Sequence, residues 1–302
     1  MTDSPVTGSR QLPAVAVGTA VRGAAARLAA AGVASPRVDA ELLAGHATGR
    51  TRSALAAAVL TGAELTATEV ELFEALVTRR AARVPLQHLT GTAGFRRLRL
   101  AVGPGVFVPR PETELLAGWA VDTARATLAA TGSALVADLC SGSGAIAAAV
   151  ADEVPAARVI AVELDAGAHP WAVRNLAGTG VELLLADATE LAVLRPDVAE
   201  AVDVVVANPP YIPLDAWESV TPEVRDHDPA LALWGGADGL DVVRGIVSCA
   251  ALLLRPGASI GLEHADAQGG AVPAMLAAGP WTHVRDHPDL AGRARYTTAR
   301  RQ

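Results

Sequence analysis

The tetrapeptide Asn208-Pro209-Pro210-Tyr211 directly follows an apolar run at residues 202–207, and its residue types suit one kind of chemistry. An amide or aromatic amine nitrogen is a poor nucleophile because its lone pair is delocalised. Two acceptors that take its two N–H bonds hold it with the lone pair in line with an electrophile. They also stabilise the positive charge that grows on nitrogen as a group is transferred. The Asn208 side-chain oxygen and the Pro209 carbonyl can form that pair. Proline stiffens the chain and carries no N–H, so the carbonyls of Pro209 and Pro210 can turn into a pocket with no competing donor beside them. Tyr211 can lay its ring against a flat acceptor group or near a cation. No strong general base is needed before transfer, because the nitrogen can shed its proton afterwards.

A second constellation lies upstream. Asp138-Leu139-Cys140-Ser141-Gly142-Ser143-Gly144 joins an apolar run to a helical pattern. The glycines permit a tight turn and close ligand approach, and the following helix offers free N–H groups to an anion. Glu163 closes the next apolar run, 158–163, where an acid can accept both hydroxyls of a ribose. Asp165 is the second candidate for that role, with capping of the next helix the commoner use. Asp187, followed by Ala188, ends a third run and can accept from an adenine amino group, or serve as a polar strand end. A nicotinamide enzyme shares much of this pattern; position 147 is Ala where G-x-G-x-x-G has its third small residue.

These residues need a frame. From residue 112 the pattern is a helix to about 130, then alternating strands and helices. Strands are expected at 135–139, 158–163, 181–185, 202–207 and 259–263, with two more near 282–286 and 296–299. Such alternation implies a parallel sheet covered on both faces. Apolar spacing of three and four between 15 and 83 predicts four or five helices. Among their starts are Ser35-Pro36 as N-cap and first-turn proline, and Thr66 with Glu69 as a capping box. Around Gly103-Pro104-Gly105 the runs 97–102 and 106–108 predict a β-hairpin. The expected division is a helical domain at 1–84, a hairpin connector at 85–111 and a catalytic domain at 112–302, with residues 1–14 a loose leader.

Composition limits the alternatives. The 302 residues are 51% hydrophobic and 3% aromatic, so Ala, Val and Leu build most of the core. Apolar stretches such as 54–60 fall well short of the roughly 20 residues a bilayer span needs. The two cysteines, Cys140 and Cys249, form no CxxC, so neither a disulfide frame nor a metal site is expected, and a cytoplasmic address fits. The chain has no lysine, which removes Schiff-base chemistry and the P-loop. Up to Val84 nine Arg meet seven Asp and Glu, a balance of +2. Beyond it 16 meet 25, a balance of −9. An acidic catalytic half is a poor match for a nucleic-acid backbone.

Several segments together resemble the HemK/PrmC glutamine methyltransferases of peptide chain release factors. Residues 85–91 resemble the family's P-L-x-Y-[IL]-x-G, and Pro109-Arg110-Pro111-Glu112-Thr113-Glu114 its P-R-P-[ED]-T-E. Asp138 to Ala147 resembles D-L-G-T-G-S-G-A-I-A, Asn208 to Tyr211 matches N-P-P-Y, and Gly235-Gly236-Ala237-Asp238-Gly239-Leu240 resembles G-G-x-D-G-L. The resemblance covers nearly the whole chain. It implies a seven-stranded Rossmann-like class I methyltransferase sheet with an antiparallel strand near its end. It implies S-adenosylmethionine as cofactor, contacted by Asp138, Cys140, Ser141, Gly142, Ser143, Gly144, Glu163, Asp187, Ala188 and Asn208. It further implies a substrate glutamine held along Asn208, Pro209, Pro210 and Tyr211, the glutamine of a release-factor Gly-Gly-Gln motif. A monomer, with no nucleic-acid or membrane partner, is expected.

Four departures stand out. Cys140 replaces a glycine, so a negative φ and a buried, unreactive thiol are expected there. Glu163 replaces the usual Asp, one methylene longer. His88 stands where Tyr is common and is read as structural. Ala188 replaces a large aromatic and is expected to loosen the adenine pocket. Phe107 and the segment 109–114 wall the active site or dock a domain with Arg110 in an ion pair. Other readings are glutamine methylation of a ribosomal protein, adenine-N6 methylation of nucleic acid, and a non-catalytic binding protein. The last would be expected to have an eroded Asn-Pro-Pro-Tyr.

Overall fold

The computed structural model describes residues 15–302, so the leader expected at 1–14 lies outside the described residues. The chain forms two compact units, Met1–Thr90 and Gly91–Gln302. In the first, a two-residue strand β1 (Val15–Ala16) pairs antiparallel with β2 (Glu64–Leu65). Around them stand α1 (Val17–Ala30), α2 (Pro36–Thr48), α3 (Arg52–Leu60), α4 (Ala67–Ala81) and α5 (Leu86–Thr90). Val17, Val21, Ala24 and Leu28 recur at three and four along α1 and are all buried. The capping box of α4 forms as read: Thr66 accepts from Glu69 N at 3.3 Å and Glu69 accepts from Thr66 N at 2.7 Å. Ser35 precedes α2 but makes no side-chain cap bond; Pro36 sets the first turn. The buried charge of Asp39 is met by Arg80 at 2.7 Å. His88 is buried in α5.

The second unit opens with a hairpin, β3 (Thr92–Phe95) and β4 (Leu98–Ala101). This corrects the expected hairpin around Gly103-Pro104-Gly105. The turn falls at Arg96 and Arg97, with Arg96 at φ +50, where no glycine signals it. The expected strand at 106–108 is instead irregular chain whose Val106 and Val108 are buried against Ala93, Val102 and Ala168. Gly103 is needed for a different reason: a Cβ there would lie 2.6 Å from the Trp171 ring.

Then follow α6 (Thr113–Thr131), β5 (Leu135–Leu139), α7 (Ala145–Glu153), β6 (Arg158–Glu163), α8 (His169–Leu176) and β7 (Glu182–Leu185). The chain continues through α9 (Leu191–Leu194), β8 (Val202–Ala207), α10 (Pro222–Arg225), α11 (Asp241–Leu253) and β9 (Leu254–Glu263). It ends with α12 (Ala271–Ala277), β10 (Trp281–Pro288) and β11 (Ala294–Arg301). The sheet has seven strands in the order β10-β11-β9-β8-β5-β6-β7. The ladder from β9 to β7 is parallel, and β11 runs antiparallel to both its neighbours.

Every residue of β8 is buried, as expected of a central parallel strand covered on both faces. Asp203 within it is satisfied by Leu135 N at 2.8 Å and Arg255 Nε at 2.6 Å. Two apolar clusters fill the layers on either side. One includes Ile160, Val205, Ile246 and Leu253; the other includes Leu116, Val136, Ile146 and Val206. β5 and β8 lie side by side although two strands separate them in sequence, so strand order reverses between them. Ligands of open α/β sheets bind beyond the carboxyl ends of strands at such a switch point. No described helix is long and apolar enough to cross a membrane.

Candidate active site

The loop after β5 is tightly wound. Cys140, Gly142 and Gly144 take φ of +66, +57 and +81. The negative φ expected at Cys140 is therefore wrong: the residue takes a left-handed geometry that glycine would adopt without strain, and the surrounding bonds hold it there. Ser141 N donates to Val162 O at 2.9 Å, carrying the β5–β6 ladder into the loop. Asp138, 1% exposed, accepts at one oxygen from the Ser141 hydroxyl (2.8 Å) and Ala147 N (3.0 Å). Burial pushes its carboxyl up to about 7, against those two bonds. The Cys140 thiol, expected to be buried, is half-buried in the cavity wall; desolvation and the nearby carboxylates of Glu163, Asp138 and Asp187 push its pKa up, which keeps it protonated and a weak nucleophile.

A left-handed residue costs about 1–2 kcal/mol when it is not glycine, and a β-branched one fits worst. Cys140→Val is expected to lower unfolding free energy by roughly 1–2 kcal/mol relative to Cys140→Gly in urea titration. Equal midpoints for the two variants would contradict strain at this position.

Glu163 stands at the end of β6 with both oxygens engaged, Oε2 by Gly142 N at 2.6 Å and Oε1 by Asp165 N at 2.7 Å. Burial raises its pKa, and those backbone bonds oppose the rise. Asp165 accepts from Gly167 N at 2.7 Å, a local turn bond close to the capping role considered for it. Asp187 accepts from the backbone and hydroxyl of Thr189, at 2.8 and 2.7 Å, and Ala188 behind it is buried.

The segment Asn208-Pro209-Pro210-Tyr211 leaves β8 beside this loop, with Ala207 paired to Leu139 of β5. Asn208 Nδ2 donates to Thr113 Oγ1 at 3.1 Å. The Tyr211 hydroxyl donates to Glu263 Oε1 at 3.3 Å. Burial and the Glu263 charge raise the Tyr211 pKa, and burial pushes Glu263 up to about 7 against a hydrogen bond from Thr113 and the charge of Arg295. The motif's backbone is clasped from behind. Ile212 exchanges bonds with Leu233 O and Gly235 N at 2.9 and 3.0 Å, and Gln268 Nε2 donates to Tyr211 O at 3.0 Å. Gly235 and Gly239 press against this backbone: a Cβ on Gly235 would lie 2.6 Å from Pro210 O, and one on Gly239 2.3 Å from Tyr211 O.

Both motifs open into one cavity of about 490 Å³. One wall includes Cys140, Ser141, Gly142, Ser143, Glu163, Asp187 and Ala188; the other end includes Asn208, Pro210 and Tyr211. Phe107, Pro109, Arg110 and Thr113 also line it, so the segment around 107–113 walls the site. Arg110 is at the same time ion-paired, with Asp228 at 2.6 Å, and lies 4.6 Å from the Phe107 ring centre. Burial pushes Asp228 up to about 6 despite that pair.

Three expected contacts are not among the lining residues. Asp138 is buried under the loop and braces it. Gly144 faces Leu176, where a Cβ would meet carbons at 3.0–3.3 Å, and so serves helix packing. Pro209 is likewise absent from the wall. Conversely, sequence reading missed Glu263 and Gln268, and an apolar wall that includes Val220, Val224, Leu231 and Trp234. Thr113 was noticed only as part of a segment. Nothing near Glu263 in sequence marks it, since its hydrogen-bond partner Tyr211 lies 52 residues away.

Residues 19–91 match the model of the PrmC N-terminal domain, and residues 120–220 that of the methyltransferase small domain. The chain is 52% identical to a release factor glutamine methyltransferase from Streptomyces coelicolor, over 91% of this chain and 94% of that one. It is 43% identical, over 70% of this chain and 72% of that one, to a 4-amino-L-phenylalanine/4-methylamino-L-phenylalanine methyltransferase from Streptomyces pristinaespiralis. Among solved structures it is similar to the hMettl16 catalytic domain in complex with the MAT2A 3′UTR hairpin 6. That match has a TM-score of 0.53 and 15% identity, over 75% of this chain and 81% of that one, and bears on the fold alone. The extent and level of identity to the first relative settle the kinship: this chain belongs to the release factor glutamine methyltransferase family.

Proposed function

We propose that the protein transfers a methyl group from S-adenosylmethionine to the side-chain amide nitrogen (N5) of the glutamine in the Gly-Gly-Gln motif of peptide chain release factors. The observation that carries this reading is the placement of Asn208-Pro209-Pro210-Tyr211 beside the glycine loop, at the ends of two paired strands and in one cavity.

The residues present fit the cofactor. Each Glu163 oxygen holds one backbone N–H and keeps a further lone pair for a ribose hydroxyl. The loop at Cys140–Ser143 would lie along the amino-acid portion, and Asp187 with Ala188 at the adenine. When bound, S-adenosylmethionine supplies an electrophilic methyl group on a sulfonium.

The chain does the rest. Asn208 Oδ1 takes one amide hydrogen of the glutamine and a main-chain carbonyl of the Asn208–Tyr211 segment the other; the Pro209 carbonyl, expected in that role, belongs to a residue outside the cavity wall and would have to be reached from the pocket's edge. Both are acceptors, so they strengthen their hold as positive charge grows on nitrogen. Tyr211 lines the pocket beside the planar amide, with its hydroxyl tied back to Glu263. The apolar wall of Val220, Val224 and Trp234 limits water around a weak nucleophile.

The relative named for an aryl amine also acts on a nitrogen whose lone pair is delocalised, so the acceptor motif by itself suits both. The match to the PrmC N-terminal domain at 19–91 favours the protein substrate, with the helical unit as its docking platform. A lone glutamine side chain offers too little contact to be selected.

The test is transfer of radiolabelled methyl from S-adenosylmethionine to purified release factor, beside a Gln-to-Ala variant of its Gly-Gly-Gln, ribosomal proteins and DNA. Label on the intact factor alone is expected. Label on a ribosomal protein or on DNA, with none on the factor, would overturn the assignment.

A further inference from the structure

Asn208-Pro209-Pro210-Tyr211 leaves the sheet with little of its own to hold it. Proline has no N–H, so the segment presents its carbonyls but lacks two of its four backbone donors. The donors that fix it must come from elsewhere. Ile212, just beyond it, is tied to Leu233 and Gly235. A side chain from a different part of the fold reaches the segment itself.

Gln268 closes the short turn Asp266–Gln268 that follows β9, and is 6% exposed. Its backbone N–H donates to Ala265 O at 2.9 Å, and its side-chain Oε1 accepts from Ala265 N at 3.0 Å, so backbone and side chain are pinned to one residue. Nε2 donates to Tyr211 O at 3.0 Å and to Asp238 O at 3.3 Å. The polarity of this amide is fixed by its partners. A backbone N–H only donates and a backbone carbonyl only accepts, so Oε1 must face Ala265 and both Nε2 hydrogens must face the two carbonyls. The approach needs space: a Cβ on Gly239 would lie 2.8 Å from Nε2 and 2.3 Å from Tyr211 O. β8 and β9 are neighbours, with Ala207 opposite Leu262. The bond from Gln268 to Tyr211 therefore braces the chain leaving β8 against the chain leaving β9, and the bond to Asp238 adds the Gly235–Leu240 run to the same brace.

We infer that Gln268 is a positioning residue for methyl transfer: its single side-chain amide ties the outgoing ends of β8 and β9 to the Gly235–Leu240 run, and so sets where Tyr211 and the acceptor atoms before it stand. Gln268 is not among the residues lining the cavity; it acts through Tyr211, which is. The inference rests on the role given above to residues 208–211.

The test compares Gln268→Met, of similar length and without hydrogen bonds, with Gln268→Glu, which keeps the shape and the bond from Ala265 but has at most one hydrogen for two carbonyls. Gln268→Met is expected to lower kcat about 10- to 100-fold, with KM for release factor and calorimetric Kd for S-adenosylmethionine each within about threefold of wild type, because the loop at Cys140–Ser143 and the helical unit lie outside the brace. Gln268→Glu should stay at least about threefold below the wild-type kcat. A second readout needs no turnover. The chain has two tyrosines, Tyr211 and Tyr296, so carbonyl-¹³C tyrosine labelling gives two signals, assigned by the loss of one in Tyr296→Phe. The Tyr211 signal should move upfield in Gln268→Met, as a carbonyl does on losing a hydrogen bond, while that of Tyr296 stays. Wild-type kcat in either variant, a fall in cofactor affinity as large as the fall in kcat, or an unmoved Tyr211 signal would each overturn the brace. Should Gln268→Met fail to fold, the same readings on Gln268→Glu decide. Absence of methyl transfer by the wild type would instead count against the proposed reaction, leaving the carbonyl signal to decide the brace.

Discussion

Asn208→Ala is expected to lower kcat about 10²- to 10³-fold, the usual cost of removing one preorganised dipole from a transition state. The substitution removes the side-chain acceptor for one of the two glutamine N–H bonds and leaves Thr113 Oγ1 without its donor. It does not touch the loop between Cys140 and Ser143 or Glu163, so S-adenosylmethionine affinity should fall only modestly. The measurement is the initial rate of label transfer to release factor at saturating cofactor, beside calorimetric cofactor binding. A variant that turns over at the wild-type rate would refute the acceptor pair. One that loses cofactor binding and rate in equal proportion would assign Asn208 to cofactor binding alone.

The second large effect is expected at a residue that touches no ligand. Gly235→Ala places a methyl group 2.4 Å from Gly239 O and 2.6 Å from Pro210 O. Both obstacles are backbone and cannot swing aside, so Pro210 and its neighbours must move by several tenths of an ångström. A displacement of about 1 Å in a reacting geometry can cost about 10²-fold, and kcat is expected to fall about 10- to 100-fold. Gly270→Ala is the control, because nothing lies within 4 Å of its added Cβ and its φ is not left-handed. Equal activity of the two variants would mean that the glycine pair does not set the position of the motif.

This packing also explains why the Gly235-Gly236-Ala237-Asp238-Gly239-Leu240 run was legible as a signature but not as a mechanism. Its residues act through backbone 25 or more positions away, which spacing does not reveal. The strands at 135–139, 158–163 and 202–207 were readable to the residue, because dense apolar runs end at turn or charged residues. β9 begins at Leu254 rather than 259, since Arg255-Pro256-Gly257 reads as a turn while the chain is already extended. The first hairpin was displaced because Arg96 turns without glycine, and Gly103, which resembles a turn residue, is there to admit Trp171. At Cys140 the side chain by itself favours a negative φ. In the folded loop the bonds from Ser141 and Gly142 override that preference. Asp138 and Gly144 resemble ligand contacts in sequence because loop residues of a ligand site look alike there, whichever way they face.

The pairing of Leu139 with Ala207 has a consequence for how such a protein diversifies. The two chain ends that face each other across the reaction leave neighbouring rungs of one ladder, about 4.8 Å apart. Their separation is a property of the sheet, indifferent to the lengths of chain looped between and after them. The connecting turns within 145–201 and 213–234 can therefore vary in length with less effect on the reacting distance than changes in the loop at Cys140–Gly144, at Asn208–Tyr211 or at Gly235 and Gly239, which hold the site itself. Novelty in what reaches the nitrogen pocket and constancy in how the methyl group moves are inherited separately, so a lineage can exchange one planar nitrogen for another without reinventing the transfer.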